Sequence, residues 1–400
     1  VISPLESGDR ASLRIRYGLM FGGLANFLAL YYVQPLLPGV AERFGVSASA
    51  ATAVLSLATI TMAVALLFVG PISDLVGRVV IMRLSLTAAA LLGIATAFAP
   101  NWHALLVLRG LQGVALAGLP AVALAYLREE APPGTHLRAN ATYITGTALG
   151  GAVGRLLPGP VQAVWGWSGA SAVVGVVTLL CAIGLWVLLP PSRRFDRSSP
   201  RLRSVLRNTA LTLRDPALVA LCLVGAATMG AFVGLCNALT FRLEAAPYLL
   251  GGAGALVFLA YPVGVPGPLA AGRLALRRGL GLAALLGVAL LLTGTLLTAA
   301  PQLPAIVIGL ALVTFAFLGT HSLVSGWVSD RAHRVGVGVG QAAGLYLLAY
   351  YAGSSVFGSL AAYRWQTGGW SSVITVSVAL LVGAALLLVL ARRFEARSCR

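Results

Sequence analysis

Residues 70–78 read Gly70-Pro71-Ile72-Ser73-Asp74-Leu75-Val76-Gly77-Arg78 and close an apolar run that begins near residue 48. A second run, near 250–271, ends in Gly272-Arg273-Leu274-Ala275-Leu276-Arg277-Arg278-Gly279, an echo displaced by 202 positions. Further on, Gly166-Trp167 returns as Gly369-Trp370, displaced by 203. Two matches at nearly one spacing, each at the same place in its half, argue for duplication of a unit of six apolar runs.

Counting outward gives runs near 16–38, 48–71, 79–99, 103–126, 139–163 and 168–190, then 216–241, 250–271, 279–299, 303–327, 337–361 and 370–391. A helix of ~20 residues spans the ~30 Å hydrocarbon layer of a bilayer. Composition agrees: 58% of residues are hydrophobic and 10% charged, against about 25% charged in a soluble domain. So few charges cannot cover a water-facing surface, and lipid must do so. The expected fold is an all-α membrane protein with twelve transmembrane helices in two pseudo-symmetric six-helix bundles. Residues 1–191 and 216–400 form the bundles, and 192–215 a basic cytoplasmic linker. The first run, preceded by a short arginine-bearing segment and followed at once by further spans, reads as a retained helix.

The net charge of +17 comes from 28 arginines with no lysine. If the N-terminus is cytoplasmic, 23 of them fall on the inner side, and only Arg43, Arg242 and Arg364 in outer loops. That asymmetry sets both termini inside by the positive-inside rule and makes a nucleic-acid partner unnecessary. Trp102, Trp165, Trp167, Trp365 and Trp370 gather at outer ends, the headgroup level that tryptophan favours. Cys181, Cys222, Cys236 and Cys399 have no metal-ligand spacing, and no metal or cofactor is expected.

The stretch from Gly70 through Asp74 and Gly77 to Arg83 resembles the G-x-x-x-D-x-x-G-R loop of the major facilitator superfamily, and Arg109-Gly110-Leu111-Gln112-Gly113 resembles its R-x-x-Q-G element. Three further stretches look like the bacterial acriflavine-sensitivity branch of exporters: residues 30–38 (with Tyr31 and Gln34), 150–155, and 344–353. The resemblance implies a secondary active transporter of small organic molecules, an efflux permease that works by alternating access and is proton-coupled. An organic-anion exchanger or uniporter on the same fold is the alternative. It further implies that Asp74 faces the start of the eleventh span near Gly340 and Arg78 faces Glu129, a latch on the inner side. A bacterial cytoplasmic membrane and a monomer complete that expectation.

Charges inside the spans bear on the substrate. Arg109 and Arg155 each lie six or seven residues inside an outer end, roughly 9 Å deep, and a buried arginine usually faces a wet interior or a partner. Gln112 shares the face of Arg109. No Asp or Glu lies deep in a span, so the interior is net positive and favours neutral or anionic substrates. Arginine stays protonated, so His321, the one histidine within a span, is the candidate for proton coupling. Tyr31, Gln34, Tyr346 and Tyr350 are candidate cavity residues beside Arg109, Gln112 and Arg155, since an apolar cleft with few polar groups suits amphipathic ligands. Gly146, Gly150, Gly154 and Pro158 make a smooth face; the resemblance makes it a contact between halves that rocks, ordinary tight packing is the other reading, and the two are not exclusive. An enzyme is the rival class, but HExxH, GxSxG and a P-loop lysine are all missing from the sequence. A receptor or channel on this scaffold has no supporting motif.

Overall fold

The computed structural model describes residues 4–130, 136–192 and 202–398. All regular elements among them are helical: α1 (Pro4–Tyr31), α2 (Leu37–Phe44), α3 (Ala48–Ala51), α4 (Ala53–Val76), α5 (Arg78–Thr96), α6 (Trp102–Leu116), α7 (Gly118–Glu130), α8 (His136–Leu156), α9 (Pro158–Leu188), α10 (Leu202–Arg214) and α11 (Pro216–Glu244). A 3-10 segment (Gly251–Gly264) follows, then α12 (Gly267–Arg278), α13 (Leu280–Leu297), α14 (Leu303–Arg334) and α15 (Val339–Ser398). The stretch expected as one span near 250–271 is therefore a 3-10 coil joined to an α-helix. Pro262 and Pro266 lack the N–H that a continuous α-helix would use.

Nine helical stretches among the described residues are long and apolar enough to cross a membrane. The last, Val339–Glu395, is broken at Gly369, whose φ of 62° and ψ of −163° belong to no helix. Gly166 breaks α9 in the same way, with φ 65° and ψ −172°. The echoed loop glycines also match: Gly77 has φ 117° and ψ 139°, Gly279 φ 84° and ψ 149°. Only glycine reaches such angles without strain, which is why these positions punctuate both halves alike.

Helix starts follow local chemistry. Asn101 and Asp215 accept hydrogen bonds from Ala104 N and Leu218 N, each at 2.9 Å, and Pro216 occupies the first turn after Asp215. These caps satisfy N–H groups that a helix start leaves unpaired. The polar stretch 192–215 contains a helix, α10, that packs on α11 and α15.

The packing selects between the readings of the glycine face, adds detail at two tryptophans and moves Arg242 from an outer loop into a helix. Gly146, Gly150 and Gly154 press on Met20, Leu24 and Leu28 of α1, so that face packs within the N-terminal half; Gly151 and Gly159, displaced around the helix, meet Tyr261 and Gly252 of the other half. Trp167 and Trp370 turn inward, Trp167 stacking on Tyr32 at 6.3 Å and Trp370 donating to Thr298 O at 2.8 Å. Arg242 lies in the last turn of α11, 7% exposed, and donates to the carbonyls of Thr298 and Ala300.

Candidate functional site

Arg109, on α6, is completely buried. Its Nε donates to Val54 O at 3.0 Å, Nη1 to Ala29 O at 3.0 Å and to Gln112 Oε1, and Nη2 to Leu30 O at 3.0 Å. Ala29 and Leu30 lie in the last turn of α1, where carbonyls have no helical partner and carry the negative end of the helix dipole. Gln112 passes the link on to Ala89 O of α5 at 2.9 Å. Arg109 thus joins α1, α4, α5 and α6 with four of its five N–H groups engaged. It is a hub inside the N-terminal half.

Arg155, on α8, has a different setting although it is only 1% exposed. Nε donates to Gln34 Oε1 at 2.7 Å and Nη1 to Gly151 O at 2.9 Å. The guanidinium lies 4.4 Å from the ring centre of Tyr31, 4.6 Å from Tyr261 and 5.9 Å from Phe232. Those rings come from α1, the 3-10 segment and α11, so Arg155 sits where both halves converge. Gln34 continues across, its Nε2 donating to Asn237 Oδ1 of α11 at 2.7 Å.

From Arg155 the aromatic wall runs on into the C-terminal half. Phe232 is 6.4 Å from Tyr261 and stacks on Phe317 at 4.3 Å and 3°. Phe317 stacks with Tyr350 at 6.1 Å and with His321 at 6.2 Å. His321 Nδ1 shares a hydrogen bond with Tyr346 Oη at 2.9 Å, and Tyr350 lies 4.6 Å from the imidazole. His321 is partly exposed, whereas Tyr346 and Tyr350 are buried. Of the sequence candidates, Tyr31, Gln34 and Arg155 form one cluster and Tyr346, Tyr350 and His321 another, bridged by Phe232 and Phe317. Arg109 and Gln112 belong to neither.

The loop motif forms its own ion-pair group. Arg78 pairs with Asp74 and, at 2.9 Å, with Glu129; it also donates to Ser73 Oγ at 2.6 Å. A Cβ placed on Gly340 would meet open space, and the partner seen for Asp74 is Arg78 of its own half. Two further ion pairs are Arg331–Asp215 and Arg334–Glu395. None reaches Arg155, and no Asp or Glu is among the buried residues described. Among the described residues no three His, Cys, Asp or Glu side chains cluster as a metal site would need.

Hydroxyls join the halves at the end away from Arg78. Thr59 Oγ1 and Ser355 Oγ are 2.7 Å apart, Ser56 Oγ and Ser359 Oγ 3.0 Å, Thr52 Oγ1 and Ser359 Oγ 3.1 Å, and Gln366 accepts from Ser49 N at 3.2 Å.

Sequence reasoning missed these hydroxyls together with Tyr261, Phe232, Phe317 and Asn237. One signal was present. The repeat spacing of 203 carries Gln34 onto Asn237 and Tyr143 onto Tyr346.

Comparison with known proteins agrees with this architecture. Residues 19–358 match the family model of the Major Facilitator Superfamily. The chain is 37% identical over 381 residues to the uncharacterized MFS-type transporter YybF of Bacillus subtilis (strain 168), covering 95% of this chain and 94% of that one. It is 35% identical over 388 residues to the inner membrane transport protein YnfM of Escherichia coli (strain K12), covering 96% and 92%. The crystal structure of the human organic anion transporter MFSD10 (TETRAN) superposes with a TM-score of 0.70 at 20% identity, covering 94% of this chain and 99% of that one.

Proposed function

The chain belongs to the major facilitator superfamily and is a membrane transporter of that type, and from this premise we propose that it carries small organic anions with an apolar, preferably aromatic, body. One observation carries the proposal: the Arg155 guanidinium is buried between the halves against three aromatic rings and an amide, and no carboxylate among the described residues is paired to it. A buried cation without a counter-ion is costly in a membrane protein, and an anionic ligand removes that cost. The rings from Tyr261 to Tyr350 offer the apolar part of the ligand a stacking surface. The architecture shared with an organic anion transporter supports the reading at the level of fold.

The transport cycle we propose is alternating access between two six-helix bundles, residues 1–191 and 216–400, joined by the 192–215 linker. Twelve crossings result when Val339–Glu395 counts as two and α1 and α8 supply the two spans outside the apolar set. The arginine-rich ends and both termini then lie in the bacterial cytoplasm. The hydroxyl contacts between α4 and α15 close the outer side, and the Asp74–Arg78–Glu129 group marks the inner one. Export is supported by the resemblance to the acriflavine-sensitivity branch at residues 30–38, 150–155 and 344–353. His321 is the proposed proton carrier because it is the titratable group in the aromatic wall that is partly open.

Counterflow in proteoliposomes tests the proposal. Vesicles loaded with unlabelled benzoate should take up labelled benzoate transiently when they hold the protein. Exchange of organic cations but of no organic anion would overturn it.

A further inference from the structure

The hydrogen bonds at Gln34 have a direction set by chemistry. A guanidinium has only donors, so Gln34 must turn its amide oxygen to Arg155 Nε, 2.7 Å away. Its Nε2 therefore points the other way, into Asn237 Oδ1 at 2.7 Å. Asn237, completely buried, then has its oxygen engaged and its Nδ2 without any partner. That N–H group faces Gly358, where an added Cβ would sit 3.1 Å from it. A buried unpaired donor is uncommon enough to require an explanation.

The repeat makes the arrangement more telling. Gln34 and Asn237 are 203 residues apart, the spacing of the echo, and meet each other across the two halves. The same spacing carries Arg155 onto Gly358. One half sets a cation against its amide. The other sets a glycine, and the amide donor there goes unanswered.

We infer that the Gln34 amide is a built-in stand-in for the carboxylate of the substrate, held between Arg155 and Asn237 while the carrier is empty. This rests on the anion site proposed at Arg155. An amide and a carboxylate share a planar three-atom head, so a carboxylate can replace the Gln34 head with one oxygen on Arg155. Its second oxygen then faces Asn237, which meets it by turning its amide over and presenting Nδ2. A full negative charge takes the place of an amide dipole on the cation, and the orphan donor gains an acceptor, leaving toward Gly358 the Asn237 amide oxygen, a group more often found under-satisfied than an N–H. The ligand class follows: a monocarboxylate with an aromatic body. A second carboxylate would lie against the rings of Phe232, Phe317 and Tyr350; the imidazole beyond them, His321, is already hydrogen-bonded to Tyr346, and Arg109 is already held by carbonyls.

Binding to the full-length protein in detergent, read by tryptophan fluorescence with benzoate and phthalate as probes, tests this, with the melting temperature followed in parallel. Gln34→Leu removes the competitor at similar volume and should tighten benzoate by about tenfold, the worth of a hydrogen bond to a charged group. Gln34→Glu tethers a carboxylate to Arg155; benzoate binding should be lost while the melting temperature stays at or above that of the wild type. Asn237→Leu should weaken benzoate in the wild-type and Gln34→Leu backgrounds alike, and phthalate should bind the wild type more weakly than benzoate. If Gln34→Leu weakens benzoate, Gln34 is a direct ligand and the stand-in is wrong. Unchanged benzoate binding by Gln34→Glu also overturns it, leaving the anion site intact. If neither the wild type nor Gln34→Leu binds benzoate or phthalate, the anion reading itself falls and the stand-in with it.

Discussion

Gly150 and Gly353, 203 residues apart, stand in the same relation to the first helix of their own half: a Cβ on Gly150 would run into the carbonyl of Leu24, and one on Gly353 into that of Ala226. Both close approaches need a residue without a side chain. Either glycine changed to alanine forces backbone apart, at a cost of about 1–3 kcal/mol. Gly150→Ala and Gly353→Ala should therefore both lower the melting temperature in detergent. Gly383→Ala, where an added Cβ meets nothing within 4 Å, should not. Equal melting temperatures for all three would contradict the matched packing.

The two buried arginines should separate by phenotype. Arg109→Ala strands the carbonyls of Ala29 and Leu30 and the Gln112 amide oxygen, and each unpaired buried group costs about 1–3 kcal/mol. The expected outcome is poor expression and early thermal unfolding. Any Arg109→Ala protein that does fold should bind benzoate with near-normal affinity. Normal stability with lost binding would place Arg109 in the substrate site instead.

The hydroxyl contact between α4 and α15 can be trapped. Thr59→Cys with Ser355→Cys, in a background lacking the four native cysteines, replaces hydroxyls 2.7 Å apart. Oxidation should form a disulfide and stop counterflow, and reduction should restore it. Full exchange by the oxidised protein would show that this contact does not open during transport.

Much of this architecture was readable in advance. The apolar runs locate the helices because lipid leaves no other way to satisfy the backbone, and Gly77, Gly166, Gly279 and Gly369 mark their ends because positive φ demands glycine. Arg155, Tyr31 and Gln34 could be named because charge and amide groups are rare in spans. Their roles could not. Arg109 and Arg155 lie at similar depth in neighbouring spans, and only helix rotation decides that one meets the last carbonyls of α1 and the other meets Tyr261 and Phe232. Phe232, Phe317 and Tyr261 look like ordinary apolar residues until the two halves are brought together. The hydroxyls of Thr52, Ser56 and Thr59 are equally silent, since such groups bond to nearby backbone carbonyls, as Thr52 and Thr59 also do here.

The proposed proton carrier, His321, is hydrogen-bonded to Tyr346 at 2.9 Å. His321→Gln should keep benzoate counterflow, which needs no gradient, and lose accumulation driven by an imposed pH gradient. Undiminished pH-driven accumulation would move the proton to another group.

The most direct test of an anion carrier centred on Arg155 is benzoate counterflow by Arg155→Ala in proteoliposomes, beside the wild type at matched protein content and melting temperature. The wild type should show a transient overshoot of label. Arg155→Ala should lose at least about nine-tenths of the initial rate, as expected for one charged hydrogen-bonding partner. An overshoot of equal rate and height from both proteins would contradict the account.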